Sequence, residues 1–273
     1  MTARATGLAR TNTVALTSLK RLALLLGLPV VLVATWWFSS AGSTDFYRPS
    51  LAKILDAFPT TWTRQRWLDD VAPSLVRFFV GFGIAIVAGI ALGVLIGSSR
   101  SLRSLSEPVL EFLRAIPPPV LVPIFFLLAG IDNTPKILVI VSGSIWPVLL
   151  NTVLGVRSVD PVLADTCRSY RIGGGLRLRT FVLRSASPQI MTGVRQAQSI
   201  GLILMVISEM KAASNGLGYM IVDAQRSFQI PAMWTGVIVL GAIGVVLALL
   251  LRLVERRVLV WYHGVRAAER SAR

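Results

Sequence analysis

The feature that most constrains this chain is the recurrence of apolar runs long enough to cross a lipid bilayer. A membrane-spanning helix needs about 20 consecutive, mostly apolar residues. The chain of 273 residues is 54% hydrophobic and only 15% charged, against roughly 25% charged residues in an ordinary soluble domain. The sequence therefore predicts an all-α polytopic membrane protein with six spans, at about 22–38, 78–99, 109–129, 137–156, 190–208 and 233–251.

Basic residues in the loops predict the orientation of these spans. Cytoplasmic loops of membrane proteins carry an excess of lysine and arginine. With the N-terminus in the cytoplasm, most of the 28 lysine and arginine residues fall in cytoplasmic segments. We therefore predict cytoplasmic tails at 1–21 and 258–273, a transmembrane domain at 22–257, and a cytoplasmic loop at 160–188 between spans 4 and 5.

The net charge of +15 does not indicate nucleic-acid binding. The basic residues separate apolar spans and form no patch interleaved with aromatic residues, so we interpret them as topology signals and contacts with membrane lipid. Cys167 is the only cysteine and His263 the only histidine, and no HExxH, GxSxG or P-loop motif occurs. The sequence therefore predicts no catalytic site, no metal and no cofactor in this chain.

Three glycines in the second span lie four residues apart, at Gly89, Gly93 and Gly97. Small residues at this spacing let helix backbones approach closely. We interpret them as packing residues within one chain, in preference to a seam between two copies.

The third span is interrupted by the stretch "EFLRAIPPPVLVPI". Proline cannot donate a backbone hydrogen bond, so Pro117, Pro118 and Pro119 must break or kink the helix. One interpretation is a kink that, with Arg114, lines the cytoplasmic side of a pathway. The other is a helix that begins after Pro119 and is preceded by a cytoplasmic lead-in.

Glu209 closes the fifth span in the stretch "VISEMKAASNGLGYMI". An ionisable residue in such a place is a functional hypothesis by default. We expect Glu209 to face the outer part of a pathway. The alternatives are hydration at the outer interface and pairing with Lys211.

The loop between spans 4 and 5 contains the basic stretch "DTCRSYRIGGGLRLRTFVLRSASP". Asp160 and Pro161 are typical of a helix start. We expect three glycines to end that helix and to adopt positive backbone angles, at Gly173, Gly174 and Gly175. A second helix then extends to Pro188.

Two functions fit this helix–turn–helix. It is either a basic loop on anionic headgroups or a docking element for a cytoplasmic protein. As a docking element it would offer the anion Asp165 to the partner, and Arg168 and Arg171, three residues apart, would lie on one face.

The same loop resembles the "EAA" coupling loop of ABC importer permeases. Asp165, Thr166 and Cys167 stand at the Glu-Ala-Ala place, Leu183 stands at the later leucine, and Pro188 matches a second proline. Arg171 stands at the motif glycine, with Gly173 as an alternative by a register slip, and Arg184 replaces the motif proline. The stretches "SLVRFFVGF", "EPVLEFLRAIPPPVLVPIFFLLAGI", "LLNTVLGVRSVDP" and "SEMKAASNGLGYMI" are similar to the nitrate, sulfonate and taurine branch of these permeases.

The resemblance implies a multi-pass subunit of a bacterial plasma membrane. Two permease chains, either a homodimer or a pair with a sister permease, would frame one pathway for a small anion or related solute. Two cytoplasmic ATPase subunits would use ATP and receive the coupling loops, and an extracytoplasmic binding protein would deliver the solute. The alternative is a secondary transporter or channel that acts alone.

Overall fold

The computed structural model describes residues 27–262 and Gly264, and every regular element in this part of the chain is helical. Two π turns, at Trp67–Val71 and Leu178–Val182, and a 3₁₀ turn at Pro118–Leu121 join consecutive helices. The α-helices are α1 (Gly27–Ser40), α2 (Leu51–Asp56), α3 (Phe58–Thr61), α4 (Arg64–Arg66), α5 (Ala72–Ser98), α6 (Arg100–Ala115), α7 (Val122–Ala129), α8 (Asn133–Arg157), α9 (Pro161–Ser169), α10 (Gly174–Arg177), α11 (Leu183–Ala212), α12 (Leu217–Arg226) and α13 (Ile230–Val258).

Four continuous helical stretches of the described chain are long and apolar enough to cross a membrane: Arg64–Ser98, Asn133–Arg157, Gly174–Lys211 and Ile230–Val258. They correspond to the predicted second, fourth, fifth and sixth spans, and the first of them ends at Ser98, one residue before the predicted limit. The predicted first span begins at residue 22, outside the described residues, and its described part forms the shorter apolar helix α1. The described residues thus hold four candidate spans, or five if the bent pair described next counts as one.

The predicted third span is two helices bent by 77° with respect to each other. Ile116 is extended (ψ 117°), as expected of a residue before proline, so α6 ends there. The stretch Pro118–Ala129 is only about 18 Å long at 1.5 Å per residue, too short to cross the hydrocarbon core of about 30 Å. The segment before the prolines, which one interpretation made a simple lead-in, is itself a helix with the exposed apolar residues Leu105, Val109 and Phe112.

The core is built on α8, which packs parallel to α5 and antiparallel to α11. Glycines on α5 face bulky residues of α8: a Cβ added at Gly89 would lie 2.8 Å from the Cβ of Val148, and one at Gly97 would lie 3.0 Å from the Cβ of Val156. The α5 and α8 backbones are therefore close only because these positions lack side chains. The arrangement places the starts of α5 and α8 and the end of α11 at one end of the bundle, opposite the segment that joins α8 to α11.

Substitution of Gly93 is the most direct test of the close packing between α5 and α8. A Cβ there would lie 2.5 Å from the Cβ of Thr152 and 2.9 Å from the carbonyl oxygen of Leu149. We expect Gly93→Val to lower the free energy of unfolding by about 1–3 kcal/mol, because an overpacked site must shift its neighbours. Gly83→Val is the matched control, since nothing lies within 4 Å of a Cβ at Gly83. Thermal unfolding in detergent measures both variants, and equal midpoints would contradict the close approach.

Candidate functional site

The segment between α8 and α11 leaves the bundle and is largely exposed. We call residues 158–182 the coupling segment. Its first helix, α9, begins where the sequence predicted, and the Asp160 carboxylate accepts a hydrogen bond of 2.8 Å from the backbone N–H of Val162. Along α9, Asp165 and Thr166 are exposed and Cys167 is half-buried. The side chain of Arg168 lies outside the described part of the structure.

The turn after α9 differs from the sequence prediction. The residue with positive φ is Arg171 (φ 51°), whereas Gly173 has a φ of −58° and Gly174 and Gly175 begin α10. The N–H of Ile172 donates to the carbonyl of Cys167 over 3.0 Å, which is the bond that closes a helix when the residue before it is left-handed. The expectation of positive angles at the three glycines is therefore wrong, and Arg171 itself occupies the position that usually favours glycine.

This turn also changes where the basic side chains stand. Arg171 lies beyond the end of α9 at Ser169, so helical spacing does not place it on one face with Arg168. A Cβ added at Gly173, Gly174 or Gly175 would meet nothing within 4 Å. Gly174 instead lines a cavity of about 370 Å³ together with Gly97 and Val156, where α10 meets the ends of α5 and α8.

The apolar side chains on and just after α9 are a feature that the sequence analysis did not identify. Val162 is 70% exposed, Leu163 50% and Tyr170 79%. Val162, Thr166 and Tyr170 are spaced four residues apart. Tyr170 follows the last residue of α9, but its N–H still donates to the carbonyl of Thr166 over 3.0 Å, so this spacing in the sequence indicates one face. The segment therefore presents an apolar patch, defined here as Val162, Leu163 and Tyr170, beside its charges.

At the opposite end of the bundle, Glu209 lies in a buried polar cluster. Glu209 is 1% exposed and Arg77 3%, and Arg77 Nη1 lies 2.7 Å from Glu209 Oε1. The Ser74 hydroxyl lies 2.8 Å from each Glu209 carboxylate oxygen. The backbone N–H of Gly218 donates to Oε2 over 3.0 Å. Both oxygens of Glu209 are thus occupied within the chain.

Arg77 connects this carboxylate to two further elements. Its Nε donates to Asn133 Oδ1 over 2.7 Å at the start of α8, and its Nη1 donates to the carbonyl of Asn215 over 3.1 Å. Its Nη2 donates to Asn215 Oδ1. The guanidinium therefore ties α5 to α8 and to the turn between α11 and α12, using the rigid fork of donors that arginine provides.

The turn between α11 and α12 requires glycine where it meets the cluster. Gly216 has a φ of 118°, and a Cβ there would lie 2.5 Å from Glu209 Cδ. The N–H of Gly216 donates to Asp70 Oδ1 over 3.1 Å, and the N–H of Leu217 donates to the Ser74 hydroxyl over 2.9 Å. The carboxylates of Asp70 and Glu209 and the hydroxyl of Ser74 thus accept hydrogen bonds from the N–H groups at the start of α12. These N–H groups have no partner inside that helix.

This geometry changes the interpretation of Glu209. The sequence analysis expected it to face a pathway or to pair with Lys211, but its partner is Arg77, and Lys211 is exposed. Lys136 is also buried near this cluster, at 3% exposure. The cluster acts chemically as a clamp that holds four elements together, and it leaves no free oxygen on Glu209 for a solute.

Of the predicted gate residues, Arg114 lies near the coupling end of the bundle, at the end of α6, whereas Pro118 lies beside the middle of α8, where a Cβ added at Gly143 would lie 3.1 Å from Pro118 Cγ. Arg114 pairs with Glu111 over 2.6 Å, and both side chains are about half-exposed. Together with Arg103 and Arg157 they line a cavity of about 240 Å³ between α6 and α8. Pro117 is exposed at the bend, and Pro118 and Pro119 form the first turn after it.

Comparison with known proteins identifies the protein family to which this helical fold, with its exposed coupling segment, belongs. Residues 85–260 match the family described as binding-protein-dependent transport system inner membrane component, and the chain belongs to this family. The chain is thus a membrane-embedded permease subunit of ABC importers. It is therefore a multi-pass protein of the cell membrane.

Three similar proteins illustrate the relationship. The chain is 30% identical over 236 residues to the putative aliphatic sulfonates transport permease SsuC of Bacillus subtilis, covering 86% of each chain. It is 28% identical to the taurine transport permease TauC of Escherichia coli, covering 89% of this chain and 91% of that one. It is also 33% identical to the bicarbonate transport permease CmpB of Synechococcus elongatus, covering 64% of this chain and 63% of the relative.

A solved structure shows the same fold. The inward-facing MetNI methionine ABC transporter matches with a TM-score of 0.57 and 18% sequence identity, covering 69% of this chain and 92% of that chain.

Proposed function

We propose that this chain forms half of the translocation pathway of an ATP-driven importer for a small anion. A second permease, either another copy or a sister chain, completes the pathway. A cytoplasmic ATPase docks on each coupling segment, and an extracytoplasmic binding protein delivers the solute at the end that carries the Glu209 cluster. The chain binds no cofactor, and ATP is used by the partner subunit.

The observation that carries this proposal is the coupling segment. It joins two spans, leaves the bundle, and exposes an apolar patch in which Val162 and Tyr170 are each at least 70% exposed. Exposed apolar patches mark sites of protein–protein or membrane contact. A loop on the membrane surface could also use such a patch, so membership of the permease family favours the docking function.

The solute class comes from the relatives. The transporters of aliphatic sulfonates, taurine and bicarbonate carry small molecules with an anionic group rich in oxygen atoms. The shared chemistry is a compact head with several hydrogen-bond acceptors. We therefore propose a sulfonate, a taurine-like anion, nitrate or bicarbonate as the solute, with the binding protein making most of the selection.

Uptake into proteoliposomes tests the proposal. The permease is reconstituted with its ATPase and binding protein, ATP is supplied on the ATPase side, and uptake of labelled taurine, alkanesulfonate, nitrate and bicarbonate is measured. We expect uptake of at least one of these anions only when ATPase and hydrolysable ATP are both present. Uptake by the permease alone, driven by an ion gradient, would contradict the proposal and support a secondary transporter.

A further inference from the structure

One face of α11 is polar where the helix crosses the membrane. Thr192, Gln196 and Ser199 are exposed and lie four and three residues apart, so they share a helix face. Toward the Glu209 end, the same face continues with the apolar residues Ile203 and Met210. The change from polar to apolar therefore falls within the span.

The depth of this face follows from the contacts between α8 and α11. The Ser144 hydroxyl donates to the carbonyl of Ala197 over 3.3 Å. Ser144 lies roughly 20 Å along α8 from Arg157, at a rise of 1.5 Å per residue. Ser199 lies two residues beyond Ala197, roughly 23 Å from the level of Arg157 and about 15 Å along α11 from Glu209, so it lies slightly past the middle of the span, toward the Glu209 end. The polar face runs from there toward the coupling segment.

Amide side chains of α11 and α8 extend this polar face from α11 onto α8. Asn151 Nδ2 lies 3.4 Å from Gln196 Oε1, and Gln189 Nε2 donates to Asn151 Oδ1 over 3.0 Å. We call Gln189, Thr192, Gln196 and Ser199 of α11, with Asn151 of α8, the polar face. At its edge, Arg195 is ion-paired with Glu255 of α13 and is 62% exposed.

Such a face is not suited to lipid. The Thr192 hydroxyl donates to the carbonyl of Pro188, and Gln196 Oε1 has Asn151 as a partner. The Ser199 hydroxyl and the Gln196 amide nitrogen, however, would find no partner in hydrocarbon, where each unsatisfied group costs free energy. The lipid-suited surface of this chain has a different composition: on α13, Val245, Val246, Leu249 and Leu250 are each more than half exposed. The chain thus exposes two distinct surfaces within the membrane, one apolar and one rich in hydrogen-bonding groups.

We infer that the polar face lines the water-filled inner half of the solute pathway and contacts the anion as it passes. This inference rests on the proposed function and deepens it. The hydroxyl of Ser199 and the amide of Gln196 offer donors to the oxygen atoms of a sulfonate or carboxylate. The nearby charge of Arg195 is compensated by Glu255, so the face offers weak neutral contacts. An anion held only by such contacts can leave toward the cytoplasm.

Cysteine accessibility tests the inference. In a Cys167→Ser background, which removes the only native cysteine, Gln196→Cys and Ser199→Cys are treated with a small anionic methanethiosulfonate reagent in membranes open on the ATPase side. Val246→Cys, on the apolar surface of α13, is the control. We expect roughly tenfold or faster reaction at the two polar-face positions, because the reactive thiolate forms in water and not in lipid. A transported anion in excess should slow that reaction.

Two results of this experiment would contradict the inference. Reaction at Gln196→Cys and Ser199→Cys as slow as at Val246→Cys would overturn the inference, and so would a disulfide between two copies at Ser199→Cys without reagent labelling. ATP-dependent uptake by the wild-type chain reports on the proposed function separately.

A second pair of variants does not depend on labelling. Ser199→Trp should narrow the pathway and reduce uptake, whereas Leu249→Trp should not, at equal amounts of protein in the membrane. Equal uptake by both variants would also overturn the inference.

Discussion

Replacing Glu209 with glutamine is expected to destabilise the fold, and this is one of the two largest effects predicted for the chain. Glutamine leaves Arg77, which is 3% exposed, as a buried charge without its counter-ion. Breaking a buried ion pair by removing one partner costs about 3–5 kcal/mol. This is a large part of the roughly 5–15 kcal/mol by which native proteins are stable.

The measurement is the unfolding midpoint and the fraction of monodisperse protein after detergent extraction. Glu111→Gln is the matched control, because it removes the exposed pair with Arg114, and exposed pairs contribute only about 0–1 kcal/mol. Arg77→Met combined with Glu209→Gln should recover part of the loss, since no unpaired charge then remains. A Glu209→Gln protein that is fully stable but does not transport would instead support the pathway role expected from the sequence.

Charging the apolar patch of the coupling segment is expected to uncouple the transporter. Val162 is 70% exposed, so Val162→Asp should not disturb the fold of the permease. In contact with an ATPase, the aspartate would be buried without a partner. Central contacts of an interface cost about 2 kcal/mol or more when lost, which corresponds to roughly 30-fold weaker binding.

The control for this variant is Val260→Asp, because Val260 is 66% exposed, follows α13 and lies outside the coupling segment. We expect ATP-driven uptake to fall steeply in Val162→Asp and to remain near the wild-type rate in Val260→Asp. Normal uptake by Val162→Asp would show that the patch is not part of the docking surface.

The transmembrane architecture could be predicted in part because apolar length is a strong local signal. The helices of the predicted second, fourth, fifth and sixth spans all begin before the predicted limits, and the last three also end after them, since charged and polar ends such as Arg64 and Arg157 still continue the helix. The break at Pro117 was also predictable, because proline removes a backbone donor. The 77° bend was not, because it depends on what α6 and α7 each pack against.

The buried cluster shows why some sites could not be predicted. Glu209 was selected from the sequence as a candidate site residue, but its partner Arg77 is 132 residues away and was not. No local pattern connects two such positions. The close approach of Gly216 and Gly218 to Glu209 depends on the same long-range packing.

In the coupling segment, a local sequence pattern was visible but predicted the wrong residues for the turn. Composition drew attention to Gly173, Gly174 and Gly175, yet the left-handed residue is Arg171. The hydrogen bond from Ile172 to Cys167 ends α9 before the glycines are reached. Glycine permits a left-handed conformation but does not require it, so the location of the turn was decided by where α9 ends.

Cross-linking from α9 tests the central claim, that this chain transports by docking a separate ATPase on its coupling segment. Val162→Cys and, as control, Val260→Cys are introduced into the Cys167→Ser background. A short thiol-to-amine cross-linker is then added to membranes that contain the ATPase subunit. The account predicts a permease–ATPase product from Val162→Cys, weakened by the addition of Leu163→Asp, and little or none from Val260→Cys. No product from Val162→Cys in membranes that show ATP-driven uptake would contradict it.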